Sequence, residues 1–187
     1  VDSIAMLIPA PPGKSVTLAK VPEKAVDRDG GVIYARYEAP ELEEREKNEP
    51  WLSSALHVLA GLVSDVVARG VPRERIVLLG FSQGACLTAE FAASHAARYG
   101  GVVIYTGGLI GPPGTTWNYS GSFDGTPVFL GCGDVDAHVP QARVDESADC
   151  FTRMGAAVTR RIYPGLGHVV SDDEIGFARD LLDTLVT

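Results

Sequence analysis

From residue 51 onward the chain alternates helical and extended patterns without a break, and this alternation restricts the fold more than any other feature. Leu52, Ala55, Leu56, Leu59, Leu62, Val63, Val66 and Val67 recur at helical spacing. Pro50 suits the first turn of this helix, and Gly70 and Pro72 end it. Next come an apolar strand "RIVLLGF", a helix from about Gln83 to Arg98, and a strand "GGVVIYTGG". A loop rich in Gly, Pro and Thr runs from Leu109 to Gly125, followed by the strand "TPVFLGCG". A helix over Gln141–Met154, the strand "AVTRRIYP" and a helix over Asp173–Leu185 finish the chain. Strands of Val, Ile and Leu without strict polar alternation suit a parallel sheet covered on both faces. The expected class is α/β, with a doubly wound, mostly parallel sheet and helices on both faces.

The first fifty residues are less regular. "IAMLIPA" and "GVIYARY" read as strands, and "ELEEREKNE" reads as a solvated charge run. There is no internal repeat and no second core, so residues 1–187 are expected to form one domain.

With 45% hydrophobic and 21% charged residues, the chain has the composition of a globular domain with a real core. A net charge of −8 argues against a nucleic-acid partner, because binding phosphates takes clustered Lys and Arg. Cys86, Cys132 and Cys150 are odd in number and lie in apolar segments at no metal-ligand spacing, so they read as reduced, buried thiols. The start, "VDSIAMLIPAPPGK", lacks a basic leader, and no run approaches the roughly 18 apolar residues of a membrane span. The expectation is a cytoplasmic protein with no span.

The chemistry concentrates at Gly80-Phe81-Ser82-Gln83-Gly84, where a strand turns into a helix. A sharp turn there strains the serine backbone, and flanking glycines relieve the crowding. The Ser82 hydroxyl would then stand clear of the carboxyl edge of the sheet, where α/β folds hold ligands. The Gln83 amide, at the helix N-terminus, would donate to a developing oxyanion. A serine nucleophile needs a base, itself oriented by an acid. Both occur downstream, each just past a strand: Asp134 and Asp136 in "CGDVDAHVP", and His168 in "GLGHVVSDDE". His57 and His95 lie within helices and read as structural. His138 shares the aspartate loop, but no third ligand stands at metal spacing, so neither metal nor cofactor is expected.

These pieces, together with "NEPWL" and "GGLIGPPG", resemble the phospholipase/carboxylesterase branch of the α/β-hydrolases over about Asn48 to Thr187. The resemblance implies Ser82 as nucleophile, Asp136 as acid and His168 as base. Asp136 is preferred to Asp134 because the family's acid sits three residues before the Val of its Val-Pro pair, here Val139-Pro140. It implies hydrolysis of a small-molecule ester, and a homodimer, a common state in the family. Leu109 and Trp117, in the loop after the strand "GGVVIYTGG", are candidates for an acyl or alcohol pocket, or else for a plain surface loop. The N-terminal strands look reduced or diverged, because the His-Gly loop that completes the family's oxyanion hole is missing. In "IPAPPGK" the prolines have no N–H, and Ala10, Gly13 and Lys14 are the candidate second donors, with a neighbouring subunit as the other source. Thioesterase or lysophospholipase activity would use the same machinery, and a hydrolase-like binding protein is the alternative of another class.

Overall fold

The computed structural model describes residues 45–186, together with three short N-terminal strands: β1 (Ala5–Pro9), β2 (Ala25–Val26) and β3 (Val32–Ile33). Helix α1 (Trp51–Ala68) leads into β4 (Ile76–Phe81), and α2 (Gln83–Ser94) into β5 (Gly101–Tyr105). Strand β6 (Pro127–Gly133), α3 (Gln141–Arg153), β7 (Ala157–Tyr163) and α4 (Asp172–Val186) follow. The main sheet has the order β1-β4-β5-β6-β7. Strands β4 to β7 are parallel, and β1 joins the edge antiparallel to β4. Among the described residues, strands β2 and β3 form a separate antiparallel pair. The "GVIYARY" segment is thus described as strand only at Val32 and Ile33.

Alternation along β4 and β5 sends side chains to two cores. Ile76, Leu78, Val102 and Ile104 face a core built with α1, α2 and α3. Val77, Val103 and Tyr105 face the opposite side, where α4 contributes Ala178 and Leu181. Helices therefore cover both faces. The outer strand β7 is more exposed, and Arg160 and Arg161 on it pair with Asp145 and Asp173. Charges on an edge strand discourage pairing with another chain and add little to stability.

The membrane expectation needs one correction. Helix α1 spans 18 residues with a mean hydropathy of 1.5, long and apolar enough by length and composition to cross a bilayer. Ser53, Ser54, His57 and Ser64 break its apolar run, yet Asp65 is its only charge, so the average stays high. Leu52, Leu56 and Val63 nevertheless pack in the core against the sheet layer.

Two buried charges fix the loop after β5. Glu90, in the middle of α2, is fully buried, and its carboxylate accepts hydrogen bonds from Ile110 N at 2.8 Å and Tyr119 Oη at 2.9 Å. Arg143 on α3, only 3% exposed, donates to Leu109 O at 2.7 Å and Pro112 O at 3.1 Å. The loop is clamped to α2 and α3, with backbone groups, the Tyr119 hydroxyl and the Glu146 carboxylate standing in for water around the two charges. Glu90→Ala strips the acceptor from a buried amide and a hydroxyl, each costing about 1–3 kcal/mol when orphaned. It is expected to lower the urea midpoint by a stability loss of about 3 kcal/mol or more, whereas Tyr119→Phe should cost about 1 kcal/mol.

Candidate active site

Ser82 sits between β4 and α2 with φ 54° and ψ −124°, a strained conformation for a residue with a side chain. The turn holds because the Ser82 amide donates to Tyr105 O on the neighbouring strand at 3.0 Å. Its carbonyl accepts from Ala85 N and Cys86 N, which begins the helix. Gly80 has no room for a side chain: a Cβ there would lie 2.1 Å from the carbonyl oxygen of Gly84. Gly80→Ala must push α2 off the strand, so it is expected to cost about 1–3 kcal/mol and, if the site hydrolyses esters, to remove that activity. Thermal melts and ester assays read both effects.

Asp136 lies in the loop after β6, and His168 in the loop after β7. The two loops meet because Gly133 lacks a Cβ, which would fall 1.8 Å from Leu166 O. The Ser82 hydroxyl is 2.7 Å from His168 Nε2, and His168 Nδ1 is 2.8 Å from Asp136 Oδ2. The assignment consistent with both contacts has Nδ1–H donating to the carboxylate and Nε2 accepting from the hydroxyl. The Asp136 side chain is fully buried and that of His168 is 16% exposed.

Asp136 is held on every side. Its Oδ1 accepts from His138 N at 2.8 Å and Val139 N at 3.0 Å, and the Cys132 thiol lies 3.8 Å from Oδ2. Burial pushes its pKa up, but the two amides and the His168 ring outweigh that, and the net value lies below the ordinary carboxylate range. Asp136 therefore stays ionised through weakly acid pH. Its depressed folded pKa stabilises the protein above the unfolded value, and that contribution is lost as pH falls through the folded one. The neighbouring Cys132 thiol moves the other way, pushed up to about 12 by burial and by the adjacent Asp136 charge. It remains protonated.

Asp134 does something else. Its Oδ1 accepts from Gly165 N at 2.7 Å, tying the β6 loop to the turn after β7. Behind His168, the Glu174 carboxylate accepts from Ser171 N at 2.7 Å and Ser171 Oγ at 2.9 Å, capping α4 and anchoring the segment that carries the histidine. The rings of Phe81 and His138 lie 5.2 and 4.7 Å from the His168 ring, centroid to centroid. Among the described residues, no three His, Cys, Asp or Glu side chains are grouped to hold a metal ion.

The remaining candidates lie elsewhere. Leu109 has no exposed surface, because Ser147 Oγ and Arg143 pin its amide and carbonyl and turn it into the core. Trp117 donates to Ile110 O, lies 4.9 Å beneath the Arg143 guanidinium, and lines a shallow depression with Asn118, Glu146, Asp149 and Arg153 that contains no residue of the Ser–His–Asp chain. Gln83 is the first residue of α2, directly after Ser82. Ala10, Gly13 and Lys14 fall outside the described residues. Cys132 is a free buried thiol, as expected, and Phe81 stands inside the elbow motif, but no local signal in the sequence marks Glu90. Arg143 carried a signal, since it is helically in phase with Ser147, Cys150 and Phe151, all buried.

A strained serine between strand and helix, hydrogen-bonded to a histidine and through it to a buried aspartate, on the carboxyl edge of a parallel sheet, defines an α/β-hydrolase arrangement. Residues 13–186 match the phospholipase/carboxylesterase family, and the chain belongs to it. It is 34% identical over 140 residues to acyl-protein thioesterase 1 of Eremothecium gossypii, covering 70% of this chain and 58% of that one. It is 42% identical to a phospholipase/carboxylesterase from Dyadobacter fermentans of known structure, with a TM-score of 0.74 over 81% of this chain and 71% of that one. The Bacillus cereus carboxylesterase, at 20% identity and a TM-score of 0.63, shares the fold over 87% of this chain and 73% of that one.

Proposed function

We propose that the protein is a metal-free serine hydrolase that cleaves small or medium carboxylic esters through Ser82, His168 and Asp136. The observation that carries this reading is the unbroken chain of two short hydrogen bonds from Ser82 Oγ through His168 to Asp136. His168 Nε2 takes the Ser82 proton as Oγ attacks the ester carbonyl, forming a tetrahedral oxyanion beside the Gln83 amide. Collapse breaks the bond to the alcohol, whose oxygen takes the proton back from His168. Water, deprotonated by the same nitrogen, then attacks the acyl-serine and releases the acid. Asp136 keeps Nε2 the accepting nitrogen and stabilises the imidazolium that forms at each step. Leu109 and Trp117 enter as packing of the loop, with the substrate wall left to groups nearer Ser82.

A fluorophosphonate probe tests the reading directly. Stoichiometric labelling at Ser82, found by peptide mass spectrometry, is the expected result, and an inert Ser82 would favour a hydrolase-like binding protein. Asp136, with its lowered pKa, should stay ionised through weakly acid pH, so turnover should not fall there through loss of its charge. Chelators should leave the rate unchanged; loss to EDTA with recovery on adding a divalent metal would overturn the metal-free chemistry. The similarity to an acyl-protein thioesterase favours a second reading, in which the acyl group arrives as a thioester. Matched oxygen esters and thioesters compared by kcat/KM separate the two.

A further inference from the structure

The ring beside the base has no part in the chemistry above. His138 is exposed, yet its place is fixed: its amide is bonded to Asp136 Oδ1, and Val139 after it is anchored in the core. Its ring meets that of His168 at 59°, with centroids 4.7 Å apart. One carboxylate thus orients the base and holds a second, solvent-facing imidazole against it. In the proposed reaction His168 hands its proton to the departing oxygen, so a ring touching His168 borders the leaving group.

An imidazole is the side chain whose charge changes between pH 5 and 8. The carboxylates of its own loop, and most of those that follow His168, are bonded elsewhere. Asp136 is bonded to His168, and Asp134 to Gly165 N. Glu174 is buried against Ser171, and Asp173 is bonded to Arg161 and Tyr163, while Asp172 is exposed at the start of α4. The geometry points to His138 as a specificity-determining residue, whose imidazole favours esters with an anionic leaving group, increasingly so as pH falls.

The inference rests on the serine-hydrolase reading and can be tested apart from it. Two butanoate esters serve as probes, one of hydroxybenzoate and one of hydroxybenzamide, which differ in a carboxylate against a neutral amide. Any change in the fraction of free enzyme competent for catalysis scales kcat/KM equally for both and cancels in their ratio. What remains is the response to substrate charge. Between pH 8 and 5.5 the carboxylate-to-carboxamide ratio is expected to rise about three- to fivefold, as for unit charges a few ångströms apart in water. Molar salt should flatten the rise. His138→Gln and His138→Phe, the second keeping an aromatic ring against His168, should each give a ratio independent of pH. A flat ratio in the wild-type protein would overturn the inference, as would a rise that persists in both variants. If the wild-type protein cleaves neither ester and Ser82 resists the fluorophosphonate, the serine-hydrolase reading itself fails and takes this inference with it.

Discussion

Ser82→Ala is expected to lower kcat for ester hydrolysis by about 10⁶-fold while leaving the fold intact, the scale seen when a serine hydrolase loses its nucleophile. In the proposed mechanism Ser82, His168 and Asp136 act as a unit, so the loss from His168→Ala should be of similar size and the double variant little worse than either alone. Far-UV circular dichroism and thermal melts should match the wild-type protein, because the Ser82 hydroxyl carries no cap of α2. Retention of even a hundredth of the activity in Ser82→Ala would show that another group attacks the substrate.

Asp136→Asn should reduce kcat by about 10⁴-fold. The amide cannot accept the Nδ1 proton in the same way, so it favours the tautomer with Nε2 protonated and unable to serve as base. The variant also swaps the acceptor of the His138 and Val139 amides for a neutral one, so a modest loss of stability is expected alongside. Asp134→Asn is the control. That side chain bonds Gly165 N and not His168, so it should alter stability slightly and turnover by less than tenfold. The reverse ranking would mean that Asp134 orients the base in solution.

Much of the architecture was legible because its signals are local. The helix at 51–68, the strands "IVLLGF" and "PVFLGCG", and the last two helices follow from apolar spacing, with proline and glycine at their ends. The helix expected to reach Arg98 stops at Ser94, where the Ser94 hydroxyl bonds back to Glu90 O and the His95 ring stacks on Phe91. A polar side chain near a helix end can satisfy the final carbonyls itself, which a periodicity count does not register.

The candidate site divides in the same way. Residue order and turn chemistry brought Ser82, Asp136 and His168 to notice, since each stands just past a strand and parallel strands deliver their ends to one edge of the sheet. Which aspartate meets the histidine depends on where two loops cross, and that crossing depends on Gly133 letting Leu166 approach. The buried Glu90 and Arg143 depend on a similar convergence. Nothing local in α2 distinguishes Glu90 from a solvated glutamate; its burial follows from Ile110 and Tyr119 arriving from 20 and 29 residues away to bond it. Patterns with a period of two or 3.6 residues are written along the chain, because they reflect the geometry of one segment against one surface. The identity of a charged side chain's partner is written only in the packing, because it requires two distant segments to exclude water from the same place at once.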